Sequence, residues 1–283
     1  MGGRITANRQ LLPSNDKGRF MELGLKGRKA FITGTSRGIG LEIAKAFAAE
    51  GVHLALFGRD KARCEALAAE LRAKHPGQKA FAVWHDFHQP ESIKPAADQA
   101  AAELGGVDIL VNVAGGAYRG RLNEIPDAEW ERYFRVKPLG LIRMTRETLP
   151  YLKQSDQGRI INLSGTRGRE PEAHSMMSGP INLGTLSLTK AMANEFGPHG
   201  ITVNAIAPGS TATRRFTELV GITARERGLT TEDAEKHLLR EVPLGKVITT
   251  EAIADLAVFL ASARAALISG TAINVDGGRT RGI

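Results

Sequence analysis

Seven short β-branched or apolar runs alternate with longer stretches of helical period: KAFITG (29–34), HLALFGR (53–59), KAFAVWHD (79–86), VDILVNVAG (107–115), GRIINLSG (158–165), ITVNAIAPG (201–209) and TAINVDGG (271–278). Alternation of this kind builds βαβ units around a parallel sheet, because each strand needs a helix to carry the chain back to the same edge. The pattern predicts an α/β fold, a single doubly wound domain with a seven-stranded parallel sheet and helices on both faces. Five of the seven runs end in glycine, which lets the backbone turn sharply at the carboxyl edge of the sheet. Ligands of such folds bind at that edge.

With 283 residues, 42% of them hydrophobic, the chain has enough apolar material for one substantial core. Residues 25–283 read as that domain. Residues 1–24 (MGGRITANRQLLPSNDKGRFMELG) are polar, basic and aperiodic, and read as a flexible N-terminal extension. Two segments depart from the repeat. Residues 116–157 hold two helices, split around Pro126 and running on from Trp130 to Tyr151. Residues 210–248 form a long polar insert at the ligand edge, which suggests a substrate lid.

The net charge of +8 raises the possibility of a nucleic-acid partner, but aromatic residues make up only 5% and the basic residues are scattered. The charge is better matched to small anionic molecules. A single cysteine, Cys64, allows no intramolecular disulfide and no zinc cluster of paired cysteines, which suits a reducing compartment. No run approaches the ~20 apolar residues of a membrane span, and the N-terminus has no secretory apolar core. A cytoplasmic location is expected.

The first strand runs into TGTSRGIG (33–40) and then into a helical stretch. Gly34, Gly38 and Gly40 let a phosphate approach the backbone, and the helix N-terminus offers unpaired N–H groups and positive potential. At the end of the second strand, Gly58 stands where selection of NAD would require a carboxylate for the ribose 2′-hydroxyl. Arg59 follows, and Arg37 in the first loop can approach the same place, which favours NADP over NAD. Asp60, two residues further on, is the counterargument.

With these features the sequence resembles a short-chain dehydrogenase/reductase of the single-domain, Rossmann type, from about Leu23 to Gly278. The matching stretches are TGTSRGIG, Asp86 at the end of the third strand, NVAG (112–115), ITVNAIAPG and the terminal NVDGG. The resemblance implies that Asp86 contacts adenine, that the turn from Asn112 to Gly115 flanks the adenine ribose, and that Thr211 or Thr213 reaches the nicotinamide amide. It assigns Ser36, Ile39, Phe87, Ala114, Pro208 and Gly209 to the same cofactor site. It also implies a homo-oligomer, tetramer or dimer, through the helices that hold Lys137 and Ser178.

The family reduces carbonyls with a Tyr-x-x-x-Lys pair, a Ser after the fifth strand and an Asn on the preceding helix. Aligned on the stretches either side, this chain carries Ser178 at the Tyr position, Asn182 at the Lys position, Gly165 at the Ser position with Ser164 one residue early, and Lys137 at the Asn position. No small shift of register restores Tyr or Lys, because residues 175–189 contain neither. Lys137 is placed either to refill the missing charge from the opposite wall, with Asn182 bonding the nicotinamide ribose, or to extend into solvent. The pair Tyr133 and Lys137 has the right spacing but lies one βα unit too early, and Tyr133 reads as a packing residue. Tyr118 and His174 are the nearby groups able to replace the lost acid.

Arginines follow successive strand ends: Arg119 and Arg121, Arg167 and Arg169, Arg214 and Arg215. They read either as a positive rim for an anionic substrate or as solvated loop charges. Two functions stay open. One is an NADP-dependent oxidoreductase on a polar or anionic carbonyl or hydroxy compound, using a non-standard proton donor. The other is a protein that binds NADP(H) or a metabolite without redox chemistry, either as a regulator or as a lyase or hydrolase in the same pocket.

Overall fold

The computed structural model describes residues 21–116 and 118–282. The strands are β1 (Lys29–Thr33), β2 (His53–Gly58), β3 (Ala80–Trp84), β4 (Ile109–Asn112), β5 (Arg159–Leu163), β6 (Thr202–Pro208) and β7 (Ala272–Val275). All pair in parallel in the order β3-β2-β1-β4-β5-β6-β7. The direction of winding reverses between β1 and β4, and the crevice of a doubly wound sheet opens there. Each expected strand exists, but each ends one to three residues before the end of its apolar run. Asp86, expected at the end of the third strand, lies two residues beyond β3 in a turn.

Side chains alternate between two cores with the period of two that a strand imposes. From β1 and β2, Ala30, Ile32, Leu54 and Leu56 face α1 (Gly38–Ala49) and α9 (Thr250–Ala261), whereas Phe31, Ala55 and Phe57 face the other layer. That second layer consists of α3 (Ile93–Leu104), α5 (Pro138–Leu152) and α6 (Ser178–Phe196). The helix α2 (Lys61–Lys74) packs beside β2 and β3.

Two expectations need correction. The long helical segment breaks at Lys137, between α4 (Asp127–Val136) and α5, and not around Pro126. Pro126 has extended backbone angles and sits just before α4, where a proline disturbs nothing, whereas Pro138 opens α5 and cannot donate the hydrogen bond that would continue α4. In the N-terminal extension, residues 1–20 lie outside the described residues, but residues 22–24 are docked. Leu23 packs against the core, its carbonyl accepts from Ala263 N at 3.1 Å, and the Glu22 carbonyl accepts from Arg264 Nε at 3.0 Å.

The insert at 210–248 holds α7 (Arg214–Arg227) and α8 (Thr231–Leu239), joined by a small core of Val220, Ala224 and Ala234. Its two ends are bonded together: Ile248 N donates to Ser210 O at 2.9 Å and Ala212 N to Ile248 O at 2.8 Å.

His85 follows β3 between the rings of Phe57 and Phe87, 2% exposed, with no hydrogen-bond partner for either ring nitrogen among the described residues. Burial lowers its pKa to about 4. Between that value and the unfolded value near 6.5, the unfolded chain binds a proton that the native state refuses. Stability is therefore full above pH 6.5 and declines as pH falls toward 4. Replacing His85 with Phe should abolish about 2 kcal/mol of the stability lost between pH 7 and pH 5, read from urea midpoints of the two proteins.

Candidate functional site

The turn after β1 is held by backbone geometry. Gly34 has φ +73°, its N–H donates to Phe57 O at 2.8 Å, and a Cβ on it would fall 2.9 Å from Ala114 Cα on the neighbouring strand's exit. A Cβ at Gly40 would lie 2.3 Å from Gly34 O. The loop is thus folded flat against the start of α1, with Arg37 just before the helix and its side chain exposed. Thr33 Oγ1 accepts from Val113 N at 3.0 Å and from Ala114 N at 3.1 Å, fixing the β4 exit beside the glycine turn. Thr213, at the start of α7, lies 3.6 Å from the Cβ position of Gly38, so the insert begins against the same loop.

At the end of β2, a Cβ on Gly58 would come within 2.6 Å of Cys64 Sγ, which occupies the place a carboxylate side chain would need. Asp60 is committed elsewhere: its carboxylate caps α2 by accepting from Arg63 N at 3.1 Å and pairs with Arg63 Nε at 3.1 Å. Arg59 is exposed. A cradle of glycines under a helix N-terminus, with no carboxylate at the end of β2 and exposed arginines on both loops, fits a dinucleotide carrying a 2′-phosphate.

The other expected cofactor residues divide between the cleft and the core. Ser36, Pro208, Gly209 and Gly115 line the carboxyl edge, and the Thr211 and Thr213 hydroxyls donate to Gly209 O and Thr211 O. Asp86 Oδ1 accepts from His88 N at 3.0 Å, shaping the turn after β3. Ile39 packs on the core, and the Phe87 ring presses against α5 where a Cβ at Gly140 would be 2.9 Å away. Asn112 turns inward: its Nδ2 donates to Asn162 Oδ1 at 3.0 Å and Thr145 Oγ1 at 3.2 Å, while its Oδ1 is buried without a partner among the described residues.

Lys137 lies at the break between α4 and α5. Its stem passes Gly115, where a Cβ would stand 2.8 Å from Lys137 Cδ, and its Nζ donates to Asn182 Oδ1 at 2.7 Å and to Ser164 O at 3.0 Å. The side chain therefore crosses the cleft from α5 toward β5 and α6 and does not extend into solvent. Ser164 Oγ donates to Asn182 O at 3.0 Å, and Ser178 is buried in the first turn of α6. Burial, and after it the Arg215 guanidinium, together lower the Lys137 pKa to about 7. Tyr118 and His174 are exposed, and Tyr118 N donates to Met177 Sδ at 3.3 Å. Tyr133 packs in a cluster with Ile125, Met177 and Ile181, beneath the Arg132 guanidinium.

Residues 34–280 match the family model described as enoyl-(acyl carrier protein) reductase. The D-beta-hydroxybutyrate dehydrogenase of Cupriavidus necator is 34% identical over 257 residues, covering 90% of this chain and 98% of that protein. The chain belongs to the short-chain dehydrogenase/reductase family. The NADPH-dependent reductase BacG of Bacillus subtilis is 28% identical, over 90% of this chain and 99% of its own. Among solved structures, L-sorbose reductase from Gluconobacter frateurii, complexed with NADPH and L-sorbose, is 29% identical with a TM-score of 0.88, covering 93% of this chain and 100% of that one.

For a short-chain dehydrogenase/reductase the arginine rim is thinner than the sequence suggests. Arg167 pairs with Glu172, Arg169 donates to Asn274 Oδ1 and Ala272 O on β7, and Arg214 pairs with Glu218 at 2.7 Å. Two participants were not foreseen. Thr33 was legible only as the last residue of a strand. Arg279, which bridges Glu172 and Glu241 at 2.8 Å each, is separated from Glu172 by more than a hundred residues and gives no local signal.

The Lys137 environment makes a direct prediction. Competitive acetylation followed by peptide mass spectrometry should show Lys137 reacting with a midpoint near pH 7, against about 10 for surface lysines, and the Arg215→Gln variant should move that midpoint upward. A midpoint above pH 9 in the unaltered protein would mean that the ammonium is solvated.

Proposed function

We propose that this chain is an NADP(H)-dependent oxidoreductase acting on a polar or anionic carbonyl or hydroxy compound, with Lys137 as its proton donor. The observation that carries the reading is the position of Lys137 Nζ, held between Asn182 Oδ1 and Ser164 O at the carboxyl edge of β5. Aligned with the family, Lys137, Ser164 or Gly165, Ser178 and Asn182 replace the usual tetrad. The NADPH named for BacG and for the L-sorbose reductase complex supports the same cofactor here, as do Gly58, Arg59 and the engaged Asp60.

The nicotinamide, when bound, supplies hydride. The protein then has to deliver a proton to the developing alkoxide, and an ammonium with a pKa near the working pH donates well. Two of its three N–H groups are held by Asn182 and Ser164, which leaves the third to face the substrate. Asn182 orients the donor, and Ser164 orients Asn182 through its main chain. Residues 25–283 form the catalytic unit, with 210–248 as its lid, in a cytoplasmic homo-oligomer, dimer or tetramer, that has neither nucleic-acid nor membrane partners.

A second reading rests on the same contacts. Lys137, Asn182 and Ser164 already bond one another, a closed arrangement that also suits a nucleotide-binding regulator without turnover, or non-redox chemistry in the pocket. NADPH oxidation across a carbonyl panel separates them. The oxidoreductase should turn over with a reduction rate that declines as pH rises through about 7, because only the protonated amine donates. Lys137→Met should lower kcat by about 100-fold or more and remove that limb. NADPH binding without turnover of any carbonyl would establish the second reading.

A further inference from the structure

Cys64, in the first turn of α2, folds its side chain back onto the end of β2. A Cβ on Gly58 would stand 2.6 Å from Cys64 Sγ and, its chain neighbours aside, would meet no other atom of the described residues within 4 Å. Gly58 is buried and is not one of the glycines with a left-handed φ, so its backbone suits any residue and the sulfur alone reserves the position for glycine. That sulfur is held in place. Thr35 Oγ1, from the glycine loop, shares a hydrogen bond of 3.5 Å with Sγ, and both side chains are fully buried. Cys64 N donates to Asp60 O at 3.1 Å, in the turn that the Asp60 carboxylate caps. The glycine loop is bonded to the same strand, Gly34 N to Phe57 O at 2.8 Å. Cys64 therefore closes the gap between the loop and the strand end, from which a carboxylate would reach a ribose 2′-hydroxyl.

We propose that Cys64 is a specificity-determining residue for the cofactor and forms one coupled unit with Gly58: its sulfur keeps a side chain out of position 58, and with it the carboxylate that selects NAD. The inference goes beyond the oxidoreductase reading, because it concerns which dinucleotide binds and not what is reduced. The exposed Arg37 and Arg59 attract a 2′-phosphate, and the sulfur excludes the group that would repel it. Two consequences distinguish a coupled pair from the simple lack of an acid. An aspartate at position 58 has no room while the sulfur stays, so it displaces Thr35 or the first turn of α2, and with Thr35 the loop that cradles phosphate for either dinucleotide. Removing the sulfur opens the position, because Cys64 Cβ itself lies beyond 4 Å of the Gly58 Cβ position. The aspartate then fits, accepts from a 2′-hydroxyl and repels a 2′-phosphate.

The test reads binding and stability, so it holds whether or not the chain turns over a carbonyl. Gly58→Asp, Cys64→Ala and the double variant are titrated with NADPH and NADH, followed by the fluorescence of the reduced nicotinamide. With Cys64→Ala as reference, the double variant should raise the ratio of NADH to NADPH affinity by about 10- to 100-fold, as expected for one charge-assisted hydrogen bond gained and a phosphate repelled. Gly58→Asp alone should lose affinity for both dinucleotides and gain no preference for NADH. Urea midpoints give the second readout: Gly58→Ala should destabilise the unaltered protein and be close to neutral once residue 64 is alanine. An unfolded Gly58→Asp beside a folded double variant that shifts toward NADH upholds the proposal. An equal shift toward NADH with and without the sulfur would overturn it, as would a double variant that fails to fold or gains no NADH preference. A Gly58→Ala cost that is the same in both backgrounds, or an unaltered protein that binds neither dinucleotide, would also reject it.

Discussion

Pro138 has no backbone N–H, and the architecture of the cleft follows from that missing donor. A continuous helix from residue 127 to residue 152 would place Lys137 in mid-helix with its side chain on whichever face the period dictated. The broken ladder instead leaves Lys137 with φ −92° and ψ −72°, its own N–H still bonded to Tyr133 O and its carbonyl accepting from Leu141 N. Helical hydrogen bonding persists on both sides of the fault, so the fault is local and rigid. The side chain it redirects reaches across to the end of β5 and to α6, tying the helix break to its neighbours at the carboxyl edge of the sheet.

A lysine in that position is costly to keep charged and useful for the same reason. Withdrawing an ammonium from water penalises the protonated form, and the partners that offset the penalty are neutral oxygens and not a carboxylate. A carboxylate partner would have held the amine protonated far into the alkaline range. Amide and carbonyl acceptors orient it while leaving its proton mobile near neutrality.

Much of this was legible in the sequence. The seven strands, the glycine turn, the insert and the prominence of Lys137 all follow from residue pattern, because hydrophobic period and glycine position have local causes. The strand ends were overestimated because runs such as VDILVNVAG stay apolar and extended after pairing has stopped at Asn112. The helix break was misplaced because Pro126 and Pro138 are equivalent as letters, and only the hydrogen bonds of their neighbours distinguish a harmless proline from a disruptive one. Charge was the least readable quantity. Asp60 looked available to a ribose and caps a helix, and Arg167, Arg169 and Arg214 looked like a rim and bind the protein itself. A sequence counts charges, whereas folding decides which of them already have partners.

The bridge between Ser210, Ala212 and Ile248 has a mechanical consequence. An insert anchored at two separated points can only slacken or tighten like a strap. Here entry and exit are stapled side by side at the end of β6, and the stretch before the exit is tied again to the chain after β7, where Leu244 N donates to Gly277 O at 3.1 Å and Glu241 pairs with Arg279 at 2.8 Å. The two helices of the insert share their own apolar core and so hold together as one piece, clamped at both ends of its base.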